Sequence, residues 1–324
     1  MTADSTPIAP APPRLAAERS SGLRRTVAGA ARAARGLVGR RDGLVGVVIL
    51  SFFVILALVP TLLVGPLQTA VTATGPRLGP PQPGYPLGTD ELGRSMLNLT
   101  VHATRVSMVI GLLATVITVV LGAGLGILSG FAGGRTDSII MRIADFFLVI
   151  PTFVLAIILT SLIRDAMGSG STEIFGIRYT LFAIVIVVGI TSWSSTARII
   201  RSQTLSLKER PFVDRSRVIG GSGAHIMRRH ILPNVLNLVV ANTVLVFAGA
   251  VLTETTLSFV GLGDPFQPSW GQILDAAREV GAPGLGAWWY FVPPGACIVL
   301  VVLAFTLVGG ALDELLNPKL RGRR

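Results

Sequence analysis

The sequence predicts an all-α integral membrane protein with six transmembrane helices, and three observations predict it. Of its 324 residues 51% are hydrophobic and 14% charged, against about 25% charged in a soluble globular domain. Several apolar runs approach the ~20 residues with which a helix crosses a bilayer. The basic residues, finally, gather on one set of the connections between those runs.

The chain opens with an arm, residues 1–43, that holds eight arginines against Asp4, Glu18 and Asp42. Residues 2–13, rich in Thr, Pro and Ala, are expected to be disordered. From Arg14 to Asp42, Leu15, Leu23, Val27, Leu37 and Val38 alternate with arginines and alanines. That stretch reads either as an interfacial helix on anionic lipid or as a solvated arm that only sets topology. Its length and composition, and a first apolar run as long as a full span, argue against a cleavable signal peptide.

Hydropathy places the six spans at about 44–65, 106–130, 139–163, 179–199, 233–260 and 288–312. Inside lipid each backbone amide must be bonded within its own segment, so runs of this length are helices. Barrel strands would alternate over about 10 residues, which these do not. Basic segments stay on the cytoplasmic side. The arm 1–43 has a net charge of +5, residues 197–232 of +6 and the tail 313–324 of +2, while 66–105, 164–178 and 261–287 have +1, 0 and −2. Both termini are therefore expected in the cytoplasm. The formal charge of +11, which would otherwise point to a polyanion such as nucleic acid, is accounted for by topology.

The connection between the fourth and fifth spans, 200–233, exceeds an ordinary loop and is expected to carry structure of its own. Phe212, Val213, Val218 and Ile219 suit a short amphipathic helix. Gly220 and Gly221 then break it, Ser222 caps a second short helix running toward Ile231, and Pro233 restarts the chain at the membrane.

Other features read as structural. Cys297 lies in an apolar run, with no second thiol to pair with. His102, His225 and His230 have no Cys, Asp or Glu at ligand spacing, so no metal site is expected. Gly122-Ala-Gly-Leu-Gly126 lies within a span and lacks a following Lys-Ser/Thr, so it reads as close helix packing. No GxxxxGK[ST] loop occurs, and no nucleophile and base constellation emerges. Trp270 and Trp288-Trp289-Tyr290 read as interfacial aromatics. Asp145, three residues after Arg142, reads as its ion-pair partner or as a carboxylate facing a pathway. Glu254, ending a long apolar stretch, either faces such a pathway or caps a helix on the outer side.

The segment Asp214-Arg215-Ser216, with Gly220 four residues after the triplet and His230-Ile231-Leu232-Pro233 at the end, resembles the signature loop of ABC-importer permeases, in which an acidic-Ala-Ala triplet stands at the same spacing. Arg215 and Ser216 depart from the two alanines. Pro86-Leu-Gly-Thr-Asp-Glu-Leu-Gly-Arg94, Ala103-Thr-Arg-Val-Ser107, Gly134-Arg-Thr-Asp137, Arg142-Ile-Ala-Asp145 with Ile150-Pro151, Glu254-Thr-Thr-Leu-Ser-Phe-Val-Gly-Leu-Gly263, Pro268-Ser-Trp-Gly271 and Asn317-Pro-Lys-Leu-Arg321 resemble, in order, the oligopeptide, dipeptide and nickel branch of that family.

The resemblance implies a type I ABC importer permease fold with a cytoplasmic coupling helix, in a multi-pass subunit of the bacterial cell membrane without catalysis or cofactor of its own. ATP and Mg would be bound by one or two cytoplasmic ATPase subunits. A homologous second permease would complete the pathway and an extracytoplasmic solute-binding protein would deliver the cargo, with peptide as first choice over nickel chelate or haem. The implied coupling residues are Asp214, Arg215, Ser216, Gly220, Gly221, Ser222, Ala224, His225, Arg228, Arg229 and Pro233. The rival reading, a self-contained secondary transporter or channel, would require inverted repeats and ion-coupling residues at mid-membrane, and neither is evident.

Overall fold

The computed structural model describes residues 36–167, 173–174 and 177–316. The expectations for the arm before residue 36 and for Asn317 to Arg321 fall outside these residues. Among the described residues five helices are long and apolar enough to cross a membrane, and a sixth crossing is supplied if a sharply bent helix pair forms one span.

Helix α1 (Arg41–Leu58) steps aside at Val59, where φ is −129° and ψ 45°, and Pro60 opens the short α2 (Pro60–Val64). A residue before proline avoids the helical region, so the expected span 44–65 has a displaced last turn. Helix α3 (Met96–Ala132) has 37 residues. At 1.5 Å per residue it is about 55 Å long, well beyond a hydrocarbon core of ~30 Å. It starts at Met96 and not near 106 because Ser95 caps it there, accepting from the Asn98 amide.

The expected third span, 139–163, is not one straight helix. It divides into α4 (Gly134–Val149) and α5 (Thr152–Met167), bent by 94°. Pro151 has no amide hydrogen to donate, and its ring would collide with the carbonyl four residues back. Ile150 ahead of it is accordingly extended, with φ −77° and ψ 130°. A two-residue pairing of β1 (Glu173–Ile174) with β2 (Ile177–Arg178) leads into α6 (Tyr179–Lys208), which continues past the expected end of the fourth span at 199.

Beyond α6 come α7 (Pro211–Val218), α8 (Gly223–Ile226) and α9 (Leu232–Leu257). After them follow α10 (Trp270–Glu279) and α11 (Trp288–Leu316). A single wide, π-helical turn joins α8 to α9 at Met227–Ile231, and a second, Ser258–Leu262, follows α9 and kinks at Gly261, where φ is +87°.

Helices α3 and α6 form the spine of the bundle. A Cβ on Gly122 would lie 2.6 Å from Thr196, one on Gly126 2.6 Å from the Ala197 carbonyl, and one on Gly130 2.9 Å from the Arg201 carbonyl. Three glycines thus let the two backbones approach closely, the packing expected of small residues in lipid. Gly124, on the other side of α3, has nothing within 4 Å.

The pole away from residues 209–231 is held by aromatic residues that the sequence placed at an interface. Trp270 and Tyr290 are instead fully buried, while Trp288 is half exposed. The Trp270 ring meets Phe53 edge to face at 5.7 Å, and its Nε1 donates to the Thr100 carbonyl at 3.3 Å. Trp289 donates to the Thr89 carbonyl at 3.1 Å, and the Tyr290 hydroxyl bonds Glu91. Aromatic side chains from the 270–290 segment therefore close over the 86–94 motif. In that motif the buried Asp90 accepts from the amides of Leu92 and Arg94 and from Arg94 Nε at 2.6 Å.

Candidate functional site: the loop between the fourth and fifth spans

The loop begins where α6 ends. Arg210 precedes Pro211, and proline in a first turn loses no helical hydrogen bond. Helix α7 turns Val213 into a cluster with Ile200, Ile226, Ile231 and Val235, all fully buried, with Phe212 packed alongside. Ser216 is also inward and buried, whereas Asp214 and Arg215 are exposed. This explains the departure from two alanines. The third triplet position needs a small residue, which serine is, and the second faces out, where arginine fits. Asp214 is held by Arg217 at 3.1 Å.

The helix stops by a defined mechanism. The Gly220 amide donates to the Arg217 carbonyl at 3.0 Å and the Gly221 amide to the Ser216 carbonyl at 2.8 Å. This crossed pair is the Schellman closure, which needs a left-handed residue at the first glycine, and Gly220 has φ +84°. A Cβ on Gly221 would fall 2.6 Å from Ser216 Oγ. Ser222 then caps α8, its hydroxyl accepting from the His225 amide at 3.3 Å.

Two expectations for this loop need correction. Val218 and Ile219 do not share the inward face with Val213. They are 87% and 84% exposed, because at 100° per residue five and six positions carry them to other sides of the helix. Nor does Pro233 restart the chain. The backbone stays helical from Gly223 through Leu257, and the missing proline hydrogen bond is absorbed upstream by the wide turn, in which the Leu232 amide reaches back to the Met227 carbonyl.

The loop also grips α3. Phe131, near the end of α3, lies 6.0 Å from Lys208 Nζ and 6.0 Å from the Arg217 guanidinium carbon. A Cβ on Gly223 would lie 3.2 Å from its ring. The His230 ring stands 6.1 Å from Phe212 and 6.0 Å from His225. Ala224, His225, Arg228 and Arg229 border an open hollow of about 560 Å³.

Sequence reasoning missed a polar clamp at the same pole. Arg201 presents a two-pronged contact to Asp137, Nε to Oδ1 at 2.6 Å and Nη2 to Oδ2 at 2.5 Å, and Ser129 bonds the same carboxylate. It joins α3, α4 and α6. Gly134-Arg-Thr-Asp137 was visible as a motif, but a partner 64 residues on was not.

Asp145 is not paired with Arg142. It bonds Arg198 of α6, with both side chains half exposed. An arginine preceding the acid is the weaker order on a helix, and α6 brings a better-placed cation. Glu254 faces neither a pathway nor solvent. It is fully buried, accepts from Ser258 Oγ at 2.8 Å, and has Ser107, Ser269 and Thr255 as further hydroxyl neighbours. Ser269, not Glu254, caps α10, so the carboxyl stands behind that cap. Among the described residues no three His, Cys, Asp or Glu side chains are grouped to hold a metal.

Residues 122–322, more than half of the chain, match the sequence model of the family described as binding-protein-dependent transport system inner membrane component. The chain belongs to this family. It is a permease subunit of an ABC importer. The oligopeptide transport system permease protein of Bacillus subtilis is 34% identical over 244 residues, 75% of this chain and 74% of that protein. The di/tripeptide transport system permease protein of Pseudomonas aeruginosa is 35% identical over 241 residues, 74% of each. The oligopeptide permease of Lactococcus lactis is 34% identical over 243 residues, 75% of this chain and 78% of its own. The matched region of this permease contains the whole 200–233 loop, Asp145 and Glu254.

Proposed function

We propose that this permease imports peptides and forms half of the pathway with a homologous second permease, both termini lying in the cytoplasm. An extracytoplasmic solute-binding protein delivers the cargo. Each permease rests on an ATPase subunit that binds ATP and Mg, and this chain performs no catalysis. The names of its relatives support peptide as cargo, since each is a peptide permease.

The observation that carries the reading is the construction of the loop. Its outer surface displays Val218 and Ile219, while its inner surface is fused to the bundle through Val213, Ile226 and Ile231. A ligand shifts a two-state protein only through what it contacts differently in the two states. ATP-driven closure of the ATPases moves the docked loops, and a loop without play passes that displacement to α3, α6 and α9.

The test is purification from native membranes in mild detergent, with mass spectrometry of the complex, an ATPase assay and uptake of labelled di- and oligopeptides. A second permease and one or two ATPases are expected with the chain, together with peptide uptake that requires both ATP and the binding protein. A chain that comes down alone and moves solute in liposomes without ATP would replace this account with a secondary transporter.

A further inference from the structure

The surface that the loop turns outward has a chemistry of its own. Val218 and Ile219 stand side by side and are nearly fully exposed. Around them Arg210, Arg215, Arg217, His225, Arg228 and Arg229 are exposed as well. The acids in the same stretch are Glu209 and Asp214, and Asp214 is already held by Arg217 at 3.1 Å. Among the described residues Arg210, Arg215, Arg228 and Arg229 form no ion pair. His225, Arg228 and Arg229 border the open hollow of about 560 Å³, a recess rimmed by cations.

Like charges crowded on one surface repel, and complementary charge on a partner relieves the repulsion and speeds encounter. We infer that the ATPase groove receiving this loop is an apolar pocket rimmed with carboxylates, and that this charge pairing selects the cognate ATPase. The inference rests on the reading that the loop docks on an ATPase. Anionic lipid is the other source of negative charge. Arg210 and Arg215 follow about 14 Å of helix beyond the apolar run ending near Ile199, farther than the screening length of ~8 Å at physiological salt, which favours the ATPase for this part of the rim. Arg228 and Arg229 stand closer to the next span, and the lipid arm of the experiment separates the two sources for them.

The experiment uses the whole complex in nanodiscs and measures ATPase retention against salt. Retention is expected to weaken about tenfold from low to high ionic strength. The doubly reversed variant Arg215→Glu with Arg229→Glu is expected to weaken it about 100-fold, with recovery when carboxylates of the ATPase groove are reversed to lysine. Val218→Ser with Ile219→Ser should weaken docking and leave the salt slope unchanged. All four side chains are exposed, and an unaltered gel-filtration profile of each permease shows that it is folded. An ATPase that stays bound irrespective of salt and of the charge reversal overturns the inference and leaves ATPase docking intact. Absence of any ATPase from the unsubstituted complex overturns both. A reversal effect seen in phosphatidylglycerol nanodiscs and lost in phosphatidylcholine would assign the rim to the membrane and overturn the inference as well.

Discussion

Gly220 holds a φ of +84°, and the two crossed hydrogen bonds that end α7 depend on it. A β-branched side chain there is strained however open the surroundings, by about 2 kcal/mol. Gly220→Val is therefore expected to abolish uptake while the permease still inserts and accumulates normally, because a side chain at this position meets nothing within 4 Å and disturbs only the corner's backbone. Gly220→Asn, which tolerates the left-handed region, is expected to keep most activity. Uptake in proteoliposomes checks both, and normal uptake by the valine variant would contradict the role given to the corner. This glycine was legible in the sequence, since a glycine pair between two short amphipathic stretches marks a corner. Asp145 and Glu254 were legible only as residues of interest. Of their partners, Arg198 for one and Ser107 for the other lie far along the chain, and no local spacing encodes those pairings; Ser258, one helical turn after Glu254, is a local partner.

Between elements, the loop meets the bundle at Phe131. Two cations from different segments flank its ring, and Gly223 leaves room for it. Cation to ring contacts of this kind contribute about 0.5–1 kcal/mol each at exposed sites. Truncation in Phe131→Ala removes these contacts together with a half-buried ring, at a cost of about 2–3 kcal/mol. The expected result is partial uncoupling, with ATP hydrolysis by the assembled complex retained and uptake reduced several-fold, and with Phe131→Tyr behaving like the parent. Equal loss of hydrolysis and uptake would mean that the ring serves only folding. The elements themselves were unevenly readable. Hydropathy located the long apolar helices because lipid demands continuous apolar length. It overlooked the 94° bend between α4 and α5, although Pro151 is the residue type that breaks a helix. It also treated Pro233 as a boundary, where a wide turn carries the helix through. Prolines mark both places, and whether a helix breaks or adapts depends on the packing around it.

Across the whole molecule, two poles do different work. One pole carries the 86–94 motif under the buried Trp270 and Tyr290 and the half-buried Trp289, tied down by hydrogen bonds that the apolar pattern cannot reveal. The opposite pole carries the loop, the Asp137 to Arg201 clamp and the exposed Val218 and Ile219. Hydropathy and basic residues displayed the membrane character and the loop's unusual length, because both are sums over many residues. Which of the loop's aliphatic residues face out emerged only from the fold, since Val213 and Val218 are the same residue type within one short helix. The proposed coupling stands on contact between that outer surface and an ATPase. To detect the contact, a cysteine is placed at Val218→Cys in a Cys297→Ser background, native membranes containing the full importer are treated with a short thiol-to-amine cross-linker, and the product is identified by mass spectrometry. The expected product is a covalent adduct with the ATPase whose yield changes when ATP is added. A complex that hydrolyses ATP and imports peptide, yet forms no such adduct at residue 218 while cysteines elsewhere on the permease do cross-link to the ATPase, would refute the contact.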